Sequence, residues 1–353
     1  MIMAQKSPLG HHLGQEVSLP GFVDSGIIHS TLLPESGSYE TLNEMFVDRD
    51  ENLTGISFFS TFPPDGYVKM NVNTAHGPLN IGDIELSWLQ GGFFHLDGGT
   101  MFGPVPKVLW QRRYAVDNDN LIPMCNDPLL VRTGNMNILI DTGIGNKLDE
   151  KQRAIYHVTS SWDIPAQLAA HGITRNDIDL VILTHCDFDH AGGILMLTEE
   201  GNKELAFPRA RYIINEREWQ DVKNPNSRAE STYLPENFDL LETSNRLELI
   251  DGEMTLCPGI TVFHTGGHTR GHLVVEIESQ GATAIHLGDL CPTHAHLNPL
   301  WVMAYDNFPL EVIARKEEYL KKYQDRDSWF TFYHDPFVRA CKLAADGTLA
   351  KTW

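Results

Sequence analysis

Positive charge is scarce in this chain. It carries 27 Lys and Arg against 47 Asp and Glu, a formal net charge of −20. That balance argues against a general nucleic-acid surface, which needs cations to replace phosphate counterions, and leaves a small-molecule substrate as the expected partner. Cysteine is sparse and odd in number: Cys125, Cys186, Cys257, Cys291 and Cys341, with no C-x-x-C pair. Such usage suits free thiols in a reducing compartment rather than a disulfide framework. No apolar run reaches the roughly 18 residues of a membrane span, so no membrane partner is expected. Met1 to Gly21 is polar and lacks the apolar stretch of a secretory signal. A cytoplasmic location is therefore expected, although a processed mature chain would read the same way. There is no Gly-Lys-Ser/Thr phosphate loop and no G-x-G-x-x-G dinucleotide fingerprint.

What is present is a chain of 353 residues, 42% hydrophobic, enough for one large domain or two smaller ones. Residues 1–78 are rich in Gly, Pro, Ser and Asn. Phe46, Phe58, Phe59, Phe62 and Tyr67 argue against full disorder. They read as an N-terminal extension with little regular structure, packed on the main domain or on a partner subunit, and a homodimer through this extension is one expectation. From Ile81 the patterning becomes regular, which gives a main domain over 79–353. Ile84–Leu89 alternates like a strand. Pro128–Arg132 and Asn137–Asp141 read as a hairpin around Gly134-Asn135. Ile164–His171 reads as a helix ended by Gly172. Strands follow at Asp179–Leu183 and Ala210–Ile214, with a helix over Ala191–Thr198 between them and a short helix over Glu216–Val222. Residues 224–246 are polar with Tyr233, Leu234 and Phe238, and read as a mobile cap over a site. Strands are expected near 247–250, 260–264, 272–278 and 283–288, a helix over Pro309–Tyr323, and a final strand at Trp329–Tyr333.

The chemistry concentrates at strand ends. Thr184-His-Cys-Asp-Phe-Asp-His-Ala-Gly-Gly193 places His185, Asp187, Asp189 and His190 directly after an apolar run. Buried charges need partners, and imidazole with carboxylate is the usual ligand set for zinc, iron and manganese. Three later segments repeat the pattern: Phe263-His-Thr-Gly-Gly-His-Thr-Arg-Gly-His272, Ala284-Ile-His-Leu-Gly-Asp289, and Phe330-Thr-Phe-Tyr-His334-Asp335. One such segment is a weak signal; four in this order are a strong one.

In these residues the chain resembles the metallo-β-lactamase-fold hydrolases, over about residues 80–350. The family loop H-x-H-x-D-H-x-G-G is matched by His185-Cys-Asp187-Phe-Asp189-His190-Ala-Gly-Gly. Thr265-Gly-Gly-His268-Thr-Arg-Gly-His272, Gly288-Asp289, His334 and Asp141-Thr-Gly143 match its later motifs. The stretch Asp97–Pro106 with Trp110 is similar to the group of N-acyl homoserine lactonases and methyl parathion hydrolase. The resemblance implies an α+β fold, an αββα sandwich of two mixed β-sheets with outer helices. It also implies two divalent metal ions: His185, Asp187 and His268 around one, Asp189, His190 and His334 around the other, Asp289 bridging. Asp189 and Asp289 would be the catalytic carboxylates, with Asp141 and His272 orienting ligands from behind. Cys186 would pack, since Asp187 points in. His264 and His286 are expected in the core or behind the ligands, while His294 and His296 are left between a pocket wall and a surface loop. Phe102, Trp110, Phe188, Trp219 and Tyr233 are candidates for an apolar acyl pocket, each with ordinary core as its alternative.

The family has histidine where this chain has Asp187. Asp187 as a direct ligand keeps the centre dinuclear; Asp187 reaching the metal through water weakens one site; a defunct centre leaves a binding protein. Zinc is the expected metal, and a third carboxylate makes the site harder, which admits manganese or iron as alternatives. The activity implied is hydrolysis of a lactone of the acyl homoserine lactone type by a metal-bridging hydroxide. The alternatives are a phosphotriesterase or arylesterase on the same centre, and a non-catalytic metal-binding or diiron redox protein.

Overall fold

The computed structural model describes residues 77–353 and, before them, the backbone of three strands, Ile27–His29, Asn43–Val47 and Leu53–Phe58, which form an antiparallel sheet. That sheet lies where the sequence suggested little regular structure. The chain divides into two compact units, Met1–Asn71 and Val72–Trp353. The expected packing of residues 1–78 on the main domain or a partner lies outside the described residues.

The main unit is built on two seven-stranded sheets. The first runs, edge to edge, Leu247–Ile250, Arg211–Asn215, Leu180–Ile182, Met136–Ile140, Leu129–Thr133, Ile84–Trp88 and Leu79–Ile81. Its first four strands are mutually parallel and the rest antiparallel. The second runs Met254–Cys257, Ile260–His264, Leu273–Ser279, Ala282–His286, Trp329–Thr331, Ala340–Leu343 and Leu349–Thr352, with one parallel pair between Ala282–His286 and Trp329–Thr331.

Side-chain alternation assigns the layers, because successive residues of a strand face opposite sides. Leu129, Val131, Ile138, Ile140, Leu180, Ile182 and Ile213 meet Leu273, Val275, Ile277, Ala284 and Trp329 between the sheets. Their neighbours Leu130, Leu139, Val181 and Ile214 face outward and are covered by Ile164–Ala170, Trp219, Phe238 and Leu241. On the far side, Val274, Ile285 and Phe330 are covered by Val312, Tyr319, Leu320 and Tyr323 of the helix Pro309–Gln324. The result is a helix–sheet–sheet–helix sandwich. Among the described residues no helix is long and apolar enough to cross a membrane.

Two expectations are corrected. The helix expected over Ala191–Thr198 is instead a single turn, Phe188–Ala191, followed by a strand, Leu195–Leu197, paired with Lys203–Leu205. The backbone has no room for side chains at the break: a Cβ on Gly192 would stand 2.2 Å from the Ile144 carbonyl oxygen, and one on Gly193 2.2 Å from that of Thr142. Trp329–Thr331 is not the last strand, since Ala340–Leu343 and Leu349–Thr352 extend the sheet beyond it. Residues 224–246 hold short helical turns whose Tyr233, Phe238 and Leu241 are buried in the outer core.

Candidate metal centre

The sandwich brings five strand exits to one edge. Met136–Ile140 leads into Asp141, and the neighbouring parallel strand Leu180–Ile182 into His185. Ile260–His264 leads toward His268, Ala282–His286 into Asp289, and Trp329–Thr331 into His334. In open sheets of this kind the carboxyl ends of parallel strands are where sites form, because loops there converge without crossing the sheet.

Four imidazoles are fixed from behind through Nδ1. His190 Nδ1 donates to Asp141 Oδ2 at 2.9 Å, His268 Nδ1 to Asp306 Oδ1 at 2.9 Å, and His334 Nδ1 to the Cys125 carbonyl at 2.8 Å. Carboxylates and carbonyls only accept here, so the proton must sit on Nδ1. His185 Nδ1 stands 3.1 Å from Thr184 Oγ1, which itself donates to Asp141 Oδ2 at 2.8 Å. One carboxylate, Asp141, thus steadies two rings. Its φ of 60° lies in the left-handed region, a strained state that Asp tolerates better than most residues.

The four Nε2 atoms face inward onto three carboxylates. His185 Nε2 and His268 Nε2 each lie 3.6 Å from Asp187 Oδ2. His334 Nε2 lies 3.6 Å and His190 Nε2 4.0 Å from Asp189 Oδ2. Asp289 reaches both groups: Oδ2 is 3.5 Å from His268 Nε2, while Oδ1 is 3.3 Å from His190 Nε2 and 3.2 Å from His334 Nε2. Ligand atoms bonded at about 2.0–2.1 Å to a tetrahedral zinc sit roughly 3.3–3.4 Å apart, so these separations are close to ligand spacing. Three clusters, His185/Asp187/His268, His185/His190/Asp289 and Asp189/His190/His334, each bring their ligand atoms within 4.8 Å of one another. His185 Nε2, His268 Nε2 and Asp289 Oδ1 are buried without a hydrogen-bond partner. Unpaired buried polar atoms are rare because each forfeits its hydration, and converging ones fit a cation between them.

The electrostatics are consistent with such a cluster. Burial lowers the pKa of the His185 ring, reinforced by the neighbouring His190 and His268. For His190 burial acts the same way, but Asp289, Asp141 and Asp189 outweigh it and raise the ring well above its usual value. His268 is likewise raised, by Asp187, Asp306 and Asp289 against burial. Burial raises Asp189.

The remaining predicted residues divide. His272 accepts from the Asp289 backbone N–H at 3.2 Å and meets Thr265 Oγ1 at 2.9 Å, so it braces the shared carboxylate. Cys186 is fully buried in the outer core. His286 is buried against Thr331 Oγ1, and His264 meets the Arg270 carbonyl. His296 has both ring nitrogens occupied, by Thr293 Oγ1 and the Met101 carbonyl, and stacks on Phe102; His294 pairs with Asp335. Of the acyl-pocket candidates, Phe102 and Trp110 stack on each other at 4.9 Å and are fully buried. Both rings pack with Ile122 and Met124 in one apolar cluster. Phe188 and Trp219 are also packed in the core, Phe188 stacked on Tyr156 at 4.2 Å. Tyr233 lines a cleft of about 300 Å³ with Asp221, Arg228, Arg270 and Phe308.

Sequence reasoning missed Thr184, Asp306 and Glu218. Asp306 sits in the loop before Pro309–Gln324, far in sequence from the His268 it orients, so no spacing links them. Glu218 reads as an ordinary acidic residue in the first turns of a surface helix.

Comparison with known proteins follows the same lines. A family model described as the metallo-beta-lactamase superfamily matches residues 127–322. A probable metallo-hydrolase of Mycobacterium tuberculosis is 28% identical over 237 residues, 63% of this chain and 72% of that protein. An N-acyl homoserine lactonase of a Bacillus species is 26% identical over 157 residues, 44% of this chain and 56% of that protein. Among solved structures, a probable metal-dependent hydrolase from Staphylococcus aureus is 40% identical with a TM-score of 0.74, covering 78% of this chain and 98% of that one. The dizinc quorum-quenching lactonase AidC shares the fold at 24% identity and a TM-score of 0.63, over 76% of this chain and 94% of that one.

Proposed function

The chain belongs to the metallo-beta-lactamase superfamily and is a metal-dependent hydrolase, and from that premise we propose that it opens lactone rings of the N-acyl homoserine lactone type. The observation that supports the two-metal part is Asp289, whose Oδ1 stands at ligand spacing from His190 and His334 and whose Oδ2 stands at ligand spacing from His268. Support for a lactone as substrate comes from the Bacillus lactonase relative.

In this reading His185, Asp187 and His268 would hold one ion and Asp189, His190 and His334 the other, with Asp289 available to both. Bound there, two divalent ions supply an activated water and polarise the ester carbonyl. Zinc is the proposed metal; the three carboxylates Asp187, Asp189 and Asp289 keep manganese and iron as competitors. The chain's own groups do the rest. The imidazoles are closed to solvent, whereas Asp187 and Asp189 keep 19% and 12% of their side-chain surface exposed, so the substrate approaches over the carboxylates. The Nδ1 bonds hold the rings still, and His272 holds the Asp289 backbone. Asp189, whose carboxyl burial raises, is placed to receive a proton and pass it to the ring oxygen as the carbonyl carbon–oxygen bond breaks.

The test is a substrate panel on protein whose metal content has been measured. Acyl homoserine lactones should exceed paraoxon and aryl acetates in kcat/KM by roughly tenfold or more, a transition-state preference above about 1.4 kcal/mol. Faster turnover of the phosphotriester would reject the lactone assignment in favour of the phosphotriesterase alternative.

A further inference from the structure

Glu218 is a buried carboxylate that the reaction does not use. Its side chain lies in the first turns of the helix Glu216–Lys223, yet it is 1% exposed. The strand before that helix, Arg211–Asn215, is the parallel neighbour of Leu180–Ile182, so its exit delivers Glu218 beside the exit that delivers His185.

All four hydrogen bonds to Glu218 come from donors, and three of them belong to the two ligand loops. Oε1 accepts from the Cys186 backbone N–H at 2.9 Å and from the Tyr233 hydroxyl at 2.8 Å. Oε2 accepts from Thr269 Oγ1 at 2.7 Å and from the Gly271 backbone N–H at 3.1 Å. Cys186 sits between His185 and Asp187. Thr269 follows His268, and Gly271 precedes His272. Arg270, which could have neutralised the carboxylate, is committed to Asp221 at 2.6 Å. Four donors suit the ionised form, since each stabilises the anion that burial disfavours. The closeness is built into the backbone as well: a Cβ on Gly271 would stand 2.3 Å from the Glu218 nitrogen and 2.4 Å from its Cβ.

We propose that Glu218 is a positioning residue that clamps the loop of His185 and Asp187 to the loop of His268, and through Tyr233 ties residues 224–246 to the same ion position. The proposal rests on the ligand reading above. The Asp189/His190/His334 group is held without Glu218: the Tyr333 hydroxyl donates to the Asp189 carbonyl at 2.7 Å and accepts from the Gly143 N–H at 3.1 Å, and the two rings are held by Asp141 and the Cys125 carbonyl. Loss of Glu218 should therefore act on one ion and spare the other.

The experiment is a chelator titration of the zinc-loaded full chain, reading ions retained per chain, with circular dichroism as the check on folding. Wild type should release its ions in two steps. In Glu218→Gln the weaker-held step should move to lower chelator concentration by roughly 10–100-fold, the range for groups that orient metal ligands, while the other step stays in place. The double variant Glu218→Gln/Asp187→Ala should then lose no more than Asp187→Ala alone, because both act on the same ion. If Glu218→Gln does not fold, Thr269→Val and Tyr233→Phe each remove one donor and leave the carboxylate; each should shift the same step by a smaller factor. A folded Glu218→Gln that titrates like wild type, or that loses both ions in parallel, overturns the proposal, as do unshifted titrations of both donor variants. A wild type that holds fewer than two ions overturns the ligand reading instead.

Discussion

Replacing Asp187 tests the point at which this chain leaves its family's motif. Its Oδ2 lies 3.6 Å from two inward-facing imidazole nitrogens, and the side chain is 19% exposed. A unit charge about 4 Å from the activated water is worth about 4 kcal/mol at an effective dielectric constant of 20. Partial exposure and salt reduce that, to about 2 kcal/mol in round figures. One pKa unit is about 1.36 kcal/mol, so Asp187→His, which removes a negative charge and keeps a donor, should make that water more acidic by about 1.5 units. The limb along which kcat/KM rises with pH should move to lower pH by that amount. Zinc should also gain over manganese, since imidazole suits zinc and carboxylate the harder ion. Asp187→Ala leaves His185 and His268 without their carboxylate and should bring metal content nearer one ion per chain. The assay is metal stoichiometry together with the pH dependence of kcat/KM for the three proteins. Identical stoichiometry and pH profiles across all three would refute a ligand role for Asp187 and leave it a solvated loop residue.

Two further outcomes follow from the same geometry. In the metal-free protein the carboxylates hold His190 and His268 well above the usual imidazole value, against the effect of burial. A folded-state pKa above the unfolded one contributes stability that is present below about pH 6.5 and is lost as pH rises through the folded value. Metal must displace those protons, so loading near pH 7 should release up to about two protons per chain, and affinity should fall on acidification; a pH-stat that records no release counts against the assignment of these two rings. At the loop's end, Gly193→Ala would press a methyl group against the Thr142 carbonyl, 2.2 Å from its Cβ, and the Trp162 indole nitrogen, 2.9 Å away. It should destabilise the fold by about 2 kcal/mol or more, read as the shift in urea midpoint, and an unmoved midpoint would mean that the backbone yields there.

The ligand motifs and most of the strands could be read from the sequence because they are local. Short apolar runs within Leu129–Thr133 and Met136–Ile140 mark the strands, Gly134-Asn135 marks the turn, and histidines after apolar runs mark the exits. The break at Gly192-Gly193 was not legible: Ala191 and the apolar residues after Gly193 fit a helix, and the carbonyls that crowd the two glycines come from Thr142 and Ile144, some fifty positions earlier. Whether Phe102 and Trp110 line a pocket or fill the core was left open for a related reason, since a ring in a wall and a ring in a core have the same sequence.

The sequence by itself determined where the candidate ligands lie: the family's ligand types at the family's spacing, and the carboxylate Asp187 where an imidazole is usual. Only the tertiary structure decided what holds them in place. Asp141 was already marked by its motif, but Asp306 behind His268 and Glu218 between the two loops act across dozens of positions. A hydrogen bond is set by distance and direction in space, and no periodicity along the chain records which distant carboxylate will stand within 3 Å of a given donor.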